Sequence, residues 1–361
     1  MGWHYTCNGK KFIGKIQAVK ESHQSGQMIN FVGPDSFSTH DWSIDSAESL
    51  DTLLKLYATK IRDENKKIRV WYSGGCDSHV MLDSFLRNKI HIDEIVCVKS
   101  GVKPADFEID NYALPYLDTI RHTIPNTDIN VVSHSYDFYK QFYSDDSWPD
   151  KFLSLRPTVQ HFHFRFSNTN FVKFDTLNSE YVNVWGKDKP RLKYVDGKWY
   201  TYFFDVDIEP CPNQINFFSD DPVIHAKQCH MVIKQIENNY ETKDYNQITD
   251  YATYQDQWNK MLGRYEQTVF PLKDLEQDTI SEYTVYTGKE KKALEYMNAH
   301  YPETVHGWAK GLKKLSTIAD GKWWNNGKPE MGTIGIFEKF YCLTEKSTKT
   351  VDELYPDGFF M

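Results

Sequence analysis

The chain has 361 residues, of which 50 are acidic and 42 basic, so its formal net charge is −8 at pH 7. This balance provides no overall positive field for nucleic acid, although a local basic patch remains compatible with it. Hydrophobic residues make up 40% and charged residues 25%, which is typical of a globular protein. No window approaches the ~18 consecutive apolar residues of a transmembrane helix, so we expect no membrane partner.

The six cysteines form no C-x-x-C pair. That spacing is typical of zinc sites and of dithiol redox sites, and its absence from the sequence argues against both. Free thiols persist in a reducing compartment, so the cysteine pattern predicts a cytoplasmic protein.

The first 44 residues are interpreted as an N-terminal extension. Within it, "KKFIGKIQAVK" predicts a strand or hairpin, and "NFVGPDSF" is typical of a turn-rich connector. The pattern becomes helical at residue 45. Asp45 and Glu48 stand at capping-box spacing, and apolar residues then recur at steps of three and four. We therefore expect a helix over residues 46–63.

Short β-branched and aromatic runs then alternate with helical patterns. The run "KIRVWYS" ends abruptly at Gly74 and Gly75, and a helical pattern follows the glycines. The further predicted elements are strands at 94–101, 128–135 and 180–186 and a mainly helical stretch at 110–122. This alternation predicts an α/β domain with an open, mainly parallel sheet and helices on both faces.

Beyond residue 215 the helical patterns become longer, as in "DPVIHAKQCHMVIKQIENN". The sequence therefore predicts an extension at 1–44, an α/β domain at 45–215 and a mainly helical unit at 216–361, which would bind a substrate or a partner. His225 and Cys229 share a face of the first of these helices. Because no second ligand cluster is nearby in sequence, we interpret them as structural residues rather than zinc ligands.

The sequence "SGGCDS" stands where the first strand of the α/β domain meets its helix. Gly74 and Gly75 let the backbone approach a ligand, and a helix start presents N–H groups and a positive dipole end. Ser73 and Ser78 can add hydroxyl donors, and Asp77 can hold Mg²⁺. This combination favours a pyrophosphate group, whereas the spacing excludes both the G-x-x-x-x-G-K-[ST] loop and the G-x-G-x-x-G turn.

These six residues resemble the S-G-G-x-D-S loop of the PP-loop ATP pyrophosphatases, which split ATP between its α and β phosphates. The resemblance covers residues 46–135 clearly, and it is nearest to the C-terminal domain of the asparagine synthetases. It implies an adenine nucleotide alpha hydrolase-like fold and the use of ATP and Mg²⁺. In that family the end of the next strand contacts adenine through its backbone, which would place Val98 and Lys99 beside the base.

The second motif, "WGKDKPR", follows the predicted strand at 180–186 and resembles more loosely the Gly-x-Asp element of the synthetase-like members. Matching Gly186 and Asp188 to that element implies that Asp188 is a second Mg²⁺ ligand facing the pyrophosphate. Lys187 and Arg191 are then candidate catalytic cations that hold the leaving pyrophosphate or the substrate. A solvated, charged turn is the alternative interpretation of this motif.

The resemblance implies an AMP-forming enzyme of the ligase or transferase type. It would adenylate an oxygen of a small-molecule or nucleobase acceptor, release pyrophosphate, and let a nucleophile displace AMP. Trp185 stands where the synthetase-like members carry glutamate, so their acceptor chemistry does not carry over. One alternative is a sulfonucleotide reductase, as in the phosphoadenosine-phosphosulfate reductase branch, or a nucleobase-thiolating enzyme, which would need a reactive cysteine. A non-catalytic nucleotide-binding protein is the other.

Overall fold

The computed structural model describes residues 2–101, 108–133, 180–186, 190–208, 213–239, 295–318, 321–324 and 334–356, together with the isolated positions 106, 137, 139, 140, 143, 146–148, 210 and 245. Three sheets organise these residues: a five-stranded parallel sheet, a three-stranded antiparallel sheet and a four-stranded antiparallel sheet. Within the same ranges, no helix combines the length and the hydropathy that a membrane span requires.

The N-terminal segment forms the three-stranded sheet. Its strands are β1 His4–Cys7, β2 Lys10–Phe12 and β3 Asn30–Val32, with β1 in the middle. Between β2 and β3 lies helix α1 Lys15–Ser25, and the short helix α2 Asp35–Thr39 follows β3. The predicted strand or hairpin over "KKFIGKIQAVK" is therefore wrong beyond Phe12. The chain turns into α1, which buries Ala18 and Val19 in the large core and Ile16 in a second apolar cluster.

Helix α3 Leu50–Glu64 begins later than the capping pattern predicts. Its N-cap is Ser49, whose hydroxyl accepts a hydrogen bond from the backbone N–H of Thr52 at 3.1 Å. The Asp45 carboxylate instead pairs with Lys227 at 2.9 Å and Lys234 at 2.6 Å, two residues that lie far away in sequence. Tertiary contacts have therefore taken Asp45 away from the predicted capping box.

The parallel sheet confirms the predicted α/β class. Its strands are β4 Lys67–Trp71, β5 Glu94–Lys99, β6 Asp128–Ser133, β7 Tyr181–Trp185 and β10 Gln214–Asn216. Helix α4 Cys76–Leu86 connects β4 to β5, and a π-helical turn, Ile109–Ala113, leads into α5 Leu114–Ile120 between β5 and β6. The spatial strand order is β10-β7-β4-β5-β6.

This order creates a switch point between β4 and β7. From β4 the chain adds β5 and then β6 on one side, and it later returns to add β7 and then β10 on the other side. From β4 the sheet is extended toward β5, and from β7 it is extended toward β10; in open α/β sheets such a reversal of strand order marks the position of a crevice. Ligands of open α/β sheets bind in such crevices.

The two faces of the sheet have different surroundings. Ile68, Val70 and Tyr72 belong to a large core that also contains apolar residues of α3, α4 and the long helix α7 Pro222–Asn239. On the opposite face, Trp71 and Trp185 form a smaller apolar cluster with neighbouring valines of β5. The described helices contribute to the first face, so the expectation of helices on both faces remains a prediction.

The four-stranded sheet has the order β12-β11-β9-β8. Its members are β8 Arg191–Val195, β9 Lys198–Phe204, β11 Phe337–Cys342 and β12 Thr348–Lys349. Asp196 and Gly197 join β8 to β9 with φ angles of +50° and +79°, as a type I′ hairpin turn requires. The remaining described helices are α6 Asp205–Ile208, α8 Pro302–Leu315 and α9 Val351–Leu354.

β11 lies in the predicted C-terminal unit but pairs with β9 on the other side of residue 215. The large core likewise extends from Trp3 to Leu343. The packing thus runs across both boundaries of the division into 1–44, 45–215 and 216–361, and that division remains a prediction from the sequence. The prediction of a mainly helical unit at 216–361 does not include strands β11 and β12.

One buried ion pair connects three distant parts of the chain. The Lys15 ammonium in α1 lies 2.6 Å from the Asp205 carboxylate at the end of β9, and the two side chains are 2% and 0% exposed. Asp205 also accepts hydrogen bonds from the Tyr5 hydroxyl at 3.1 Å and the Ile336 N–H at 2.8 Å, while Lys15 donates to the Ile334 carbonyl at 2.5 Å. The pair therefore holds the N-terminal sheet against the start of β11.

Lys15→Met should strongly destabilise the protein. The substitution leaves the Asp205 carboxylate buried without its countercharge, and breaking buried pairs in this way typically costs about 3–5 kcal/mol of unfolding free energy. Urea unfolding followed by tryptophan fluorescence measures the loss. Lys10→Met is the matched control, since Lys10 is 60% exposed in its pair with Glu21 and should change stability by less than about 1 kcal/mol. Equal losses in both variants would contradict this prediction.

Candidate functional site

The glycine loop, residues 73–78, closes on itself through its two serines. The Ser73 and Ser78 hydroxyl oxygens lie 3.0 Å apart, and the Ser78 hydroxyl donates to the Gly75 carbonyl at 2.9 Å. The Gly75 N–H points to the Ser73 hydroxyl at 3.3 Å. Ser78 is buried whereas Ser73 is exposed. Ser78 therefore holds the shape of the loop, and Ser73 is the serine that a ligand could reach.

The two glycines of the loop have different roles. Gly74 has a φ of +79°, and an added Cβ would lie 2.8 Å from the Glu108 carbonyl oxygen and 3.0 Å from the Ala113 nitrogen. Only glycine fits that position. At Gly75 the nearest atom to an added Cβ would be the Ser73 hydroxyl, at 3.4 Å. The surface above Gly75 is therefore open, as a backbone that cradles a ligand requires.

The loop leads directly into α4. Gly75 is the N-cap, and the first hydrogen bond of the helix runs from the His79 N–H to the Gly75 carbonyl at 3.0 Å. The backbone N–H groups of the first turn precede that bond and stand at the positive end of the helix dipole. Asp77 lies in this turn and is partly exposed. A carboxylate beside a ring of N–H groups suits a phosphate that carries a metal ion.

A buried aromatic cluster supports α4 from behind. The His79 Nδ1 atom lies 3.1 Å from the Tyr72 hydroxyl, and its ring centroid lies 4.6 Å from that of Tyr116. Burial raises the pKa of Tyr116 to about 12, so its hydroxyl stays neutral. Sequence reasoning missed His79 because its position in a helical pattern carries no sign of the contact with Tyr72.

The second motif meets the first at the switch point. In the register of the sheet, Trp185 pairs with Trp71, and their indole rings stack with centroids 4.5 Å apart. Gly186 follows immediately, and an added Cβ there would lie 2.6 Å from the Asp77 carbonyl oxygen and 2.8 Å from the Ser78 Cα. Two sequence elements more than a hundred residues apart are thus in direct backbone contact.

Of the predicted cations and the second metal ligand, the structure describes one residue, Arg191. Lys187 and Asp188 lie outside the described residues, so of the predicted metal pair the structure describes Asp77. Arg191 begins β8, and its guanidinium lies 5.2 Å from the centre of the Phe204 ring. Its predicted role with pyrophosphate remains untested. Within the described ranges, no three His, Cys, Asp or Glu side chains converge as a metal site would require.

The end of β5 carries a second polar arrangement beside the loop. Val98 is buried in the tryptophan cluster, and the Lys99 ammonium pairs with the Asp110 carboxylate at 2.6 Å. The hydrogen bond to Asp110 raises the pKa of Lys99. Neither residue has a described contact that tests the predicted adenine interaction. Sequence reasoning missed Asp110, although "DFEID" offers two carboxylates one helical turn apart, at 106 and 110.

Asp106 stabilises the turn that follows β5. One of its carboxylate oxygens accepts from the Ser100 N–H at 2.6 Å and from the Ser100 hydroxyl at 2.7 Å, and the other accepts from the Gly101 N–H at 2.9 Å. Burial nevertheless raises the pKa of Asp106. The carboxylate is therefore committed to the backbone of this turn.

His225 and Cys229 are placed as the sequence analysis interprets them, in the core. The His225 Nε2 atom lies 3.0 Å from the Thr201 hydroxyl, and its ring packs on Phe203. Burial lowers the pKa of His225 to about 3 and raises that of Cys229 to about 12. Both side chains are therefore neutral at physiological pH and pack as core residues.

Fold and site together define an α/β protein with a glycine loop at the switch point of a parallel sheet. Comparison of the chain with protein-family models, with curated proteins and with solved structures finds no match. The functional assignment therefore rests on the residues and their geometry, and the family resemblance of the two motifs remains a hypothesis.

Gly74→Ala and Gly186→Ala should each lower the unfolding free energy by about 1–3 kcal/mol. An added methyl group meets backbone atoms at both positions, and backbone cannot rotate away as a side chain can. Chemical denaturation measures the effect. Gly75→Ala is the matched control within the same loop and should cost less than about 1 kcal/mol, because its methyl group meets no backbone. A Gly75→Ala loss as large as that of Gly186→Ala would contradict the assignment of these contacts.

Proposed function

We propose that the protein binds ATP with Mg²⁺ at the switch point and cleaves it between the α and β phosphates, transferring AMP to an acceptor oxygen. The observation that carries this proposal is the contact of Gly186 with the first turn of α4. It joins the two motifs that a nucleotide pyrophosphatase would need.

The phosphate groups would lie over Gly75. Three features support that position: the open space at Gly75, the exposed Ser73 hydroxyl, and the N–H groups of the first turn of α4. Fixed N–H dipoles need no reorganisation when negative charge moves onto the leaving pyrophosphate, so they stabilise the transition state more than water would.

The donor set at this edge suits Mg²⁺. In nucleotide sites this ion is usually bound by one or two carboxylates and by phosphate oxygens. Asp77 would be the first carboxylate, and Asp188, two positions after Gly186, is the candidate for the second. When bound, the ion neutralises phosphate charge and stabilises the leaving oxygen.

The reaction balances without a redox partner. An acceptor oxygen forms a bond to the α-phosphorus, the bond from that phosphorus to the bridging oxygen breaks, and pyrophosphate leaves with both electrons. A nucleophile then attacks the acceptor atom that bears the adenylated oxygen, the bond from that atom to the oxygen breaks, and AMP leaves with the oxygen and both electrons. The work of this chain is to orient the triphosphate and to stabilise charge, and none of its side chains becomes covalently attached.

Three of the four described thiols favour adenylation over sulfur chemistry. Cys97, Cys229 and Cys342 are each 0% exposed, and burial raises the pKa of Cys97 and of Cys229 to about 12. A reductase or thiolase needs an accessible thiolate. These three residues are therefore poor candidates for one, which weakens the first alternative.

Purified protein should release pyrophosphate and AMP from ATP in the presence of Mg²⁺ and a metabolite pool, with an adenylated acceptor detectable by mass spectrometry. Asp77→Ala should lower the rate at least a hundredfold, because the first metal ligand is lost. The matched control is Asp128→Asn, an exposed carboxylate at the opposite edge of the sheet, which should retain the wild-type rate.

Gly75→Ala provides a second variant that keeps the fold. Its methyl group would occupy the space over the loop, so we expect weaker ATP binding in calorimetry with little change in unfolding free energy. ATP binding without pyrophosphate release under any acceptor mixture would support a non-catalytic nucleotide-binding protein. Undetectable ATP binding would refute the proposal.

The three buried thiols should resist alkylation in the folded protein. At pH 8, a thiol with a pKa of about 12 is ionised in roughly one molecule in ten thousand. Iodoacetamide treatment followed by peptide mass spectrometry should therefore leave Cys97 and Cys229 unmodified until denaturant is added. Cys342 should be protected in the same experiment because its side chain is 0% exposed. Rapid native labelling of any of them, with loss of ATP-dependent activity, would favour the thiol alternative.

A further inference from the structure

Residues 106 and 108–113 contact both the end of β5 and the glycine loop. Asp106 holds the backbone of Ser100 and Gly101, and Asp110 pairs with Lys99. The Glu108 carbonyl oxygen and the Ala113 nitrogen lie against Gly74. Asp110 therefore lies between Glu108 and Ala113, the two residues whose backbone contacts the glycine loop.

Lys99 ends β5, the strand adjacent to β4 in the sheet, and it pairs with Asp110. In doubly wound sheets the phosphates lie at the glycine turn after the first strand, and the ribose reaches the end of the adjacent second strand. Here those strands are β4 and β5, which lie next to each other at a spacing of about 4.8 Å. The Lys99 and Asp110 side chains are 30% and 44% exposed, so both are accessible to a ligand.

We propose that Asp110 is a specificity-determining residue that selects adenine nucleotides whose ribose carries no phosphate. This inference rests on the proposed binding of ATP at the glycine loop. It assigns Asp110 a role in recognising the sugar of the nucleotide. Through that contact the protein would discriminate ATP from the ribose-phosphorylated nucleotides that sulfonucleotide enzymes use.

The selection follows from charge. A carboxylate accepts hydrogen bonds from ribose hydroxyl groups, as an acidic residue of dinucleotide-binding folds does. A ribose phosphate would instead meet the Asp110 carboxylate, with the Asp106 carboxylate one helical turn away. The Lys99 ammonium could offset that repulsion, but Asp110 already occupies it at 2.6 Å.

Removing the charge of Asp110 should therefore change the preference. In Asp110→Asn the Lys99 ammonium is released from its ion pair and becomes a binding partner for phosphate. The side chains are partly exposed, so the pair contributes little to folding, and the variant should remain folded. The substitution changes which nucleotide binds rather than whether the protein folds.

The test compares the binding of ATP, AMP, adenosine 2′,5′-bisphosphate and adenosine 3′,5′-bisphosphate by calorimetry. We expect the wild type to bind AMP at least as tightly as either bisphosphate. Asp110→Asn should strengthen at least one bisphosphate about tenfold relative to AMP. Adding Lys99→Met to that variant should abolish the gain. The matched control is Glu345→Gln, which removes the acid of a comparable surface pair with Lys198 at 2.7 Å and should leave the ratio unchanged.

The outcomes separate this inference from the proposed function. If the wild type binds ATP but Asp110→Asn leaves the bisphosphate-to-AMP ratio unchanged, the role of Asp110 is refuted and the ATP site stands. A wild-type preference for a bisphosphate refutes it equally. Should Asp110→Asn unfold, Asp110→Glu keeps the charge and must keep the wild-type ratio, while Lys99→Met must not raise bisphosphate binding. If the wild type binds no adenine nucleotide, both proposals fall.

Discussion

The contact between Gly186 and the first turn of α4 is the constraint on which the candidate site depends. An added Cβ at Gly186 would lie 2.6 Å from the Asp77 carbonyl oxygen, so β7 and α4 can meet in this way only because position 186 has no side chain. One residue before Gly186, the indole of Trp185 in β7 stacks on that of Trp71 in β4. This stacking holds β7 beside β4. Strand register and a missing methyl group together bring the two motifs to one edge of the sheet.

The same close packing explains how the loop keeps its shape without a ligand. The hydroxyl of Ser78 is used inside the loop, and Gly74 is pressed against the segment that precedes α5. The exposed Ser73 and the partly exposed Asp77 flank the surface over Gly75. A loop held in advance loses little conformational freedom on binding, which favours both affinity and transition-state stabilisation.

Local sequence patterns predict the α/β part of the fold, where strands and helices alternate along the chain. β4, β5, β6, β7, α4 and α7 lie where the patterns indicate them, because buried β-branched runs and amphipathic helices carry their own periodicity. The failures have tertiary causes. Asp45 forms ion pairs with Lys227 and Lys234 instead of capping α3, and β11 finds its partner in β9, more than a hundred residues away. A short strand of that kind has no local signal that distinguishes it from a loop.

The candidate site likewise has one part that local sequence indicates and another part that tertiary packing determines. The residue types of "SGGCDS" between a strand and a helix are sufficient to indicate an anion-binding turn, because glycine geometry and the helix start are local properties. Strand order is not local: only the folded sheet puts β7 beside β4, brings Gly186 against Asp77, and joins Lys99 to Asp110. Those contacts join residues 11 to 114 positions apart in the chain, and through-space packing decides them.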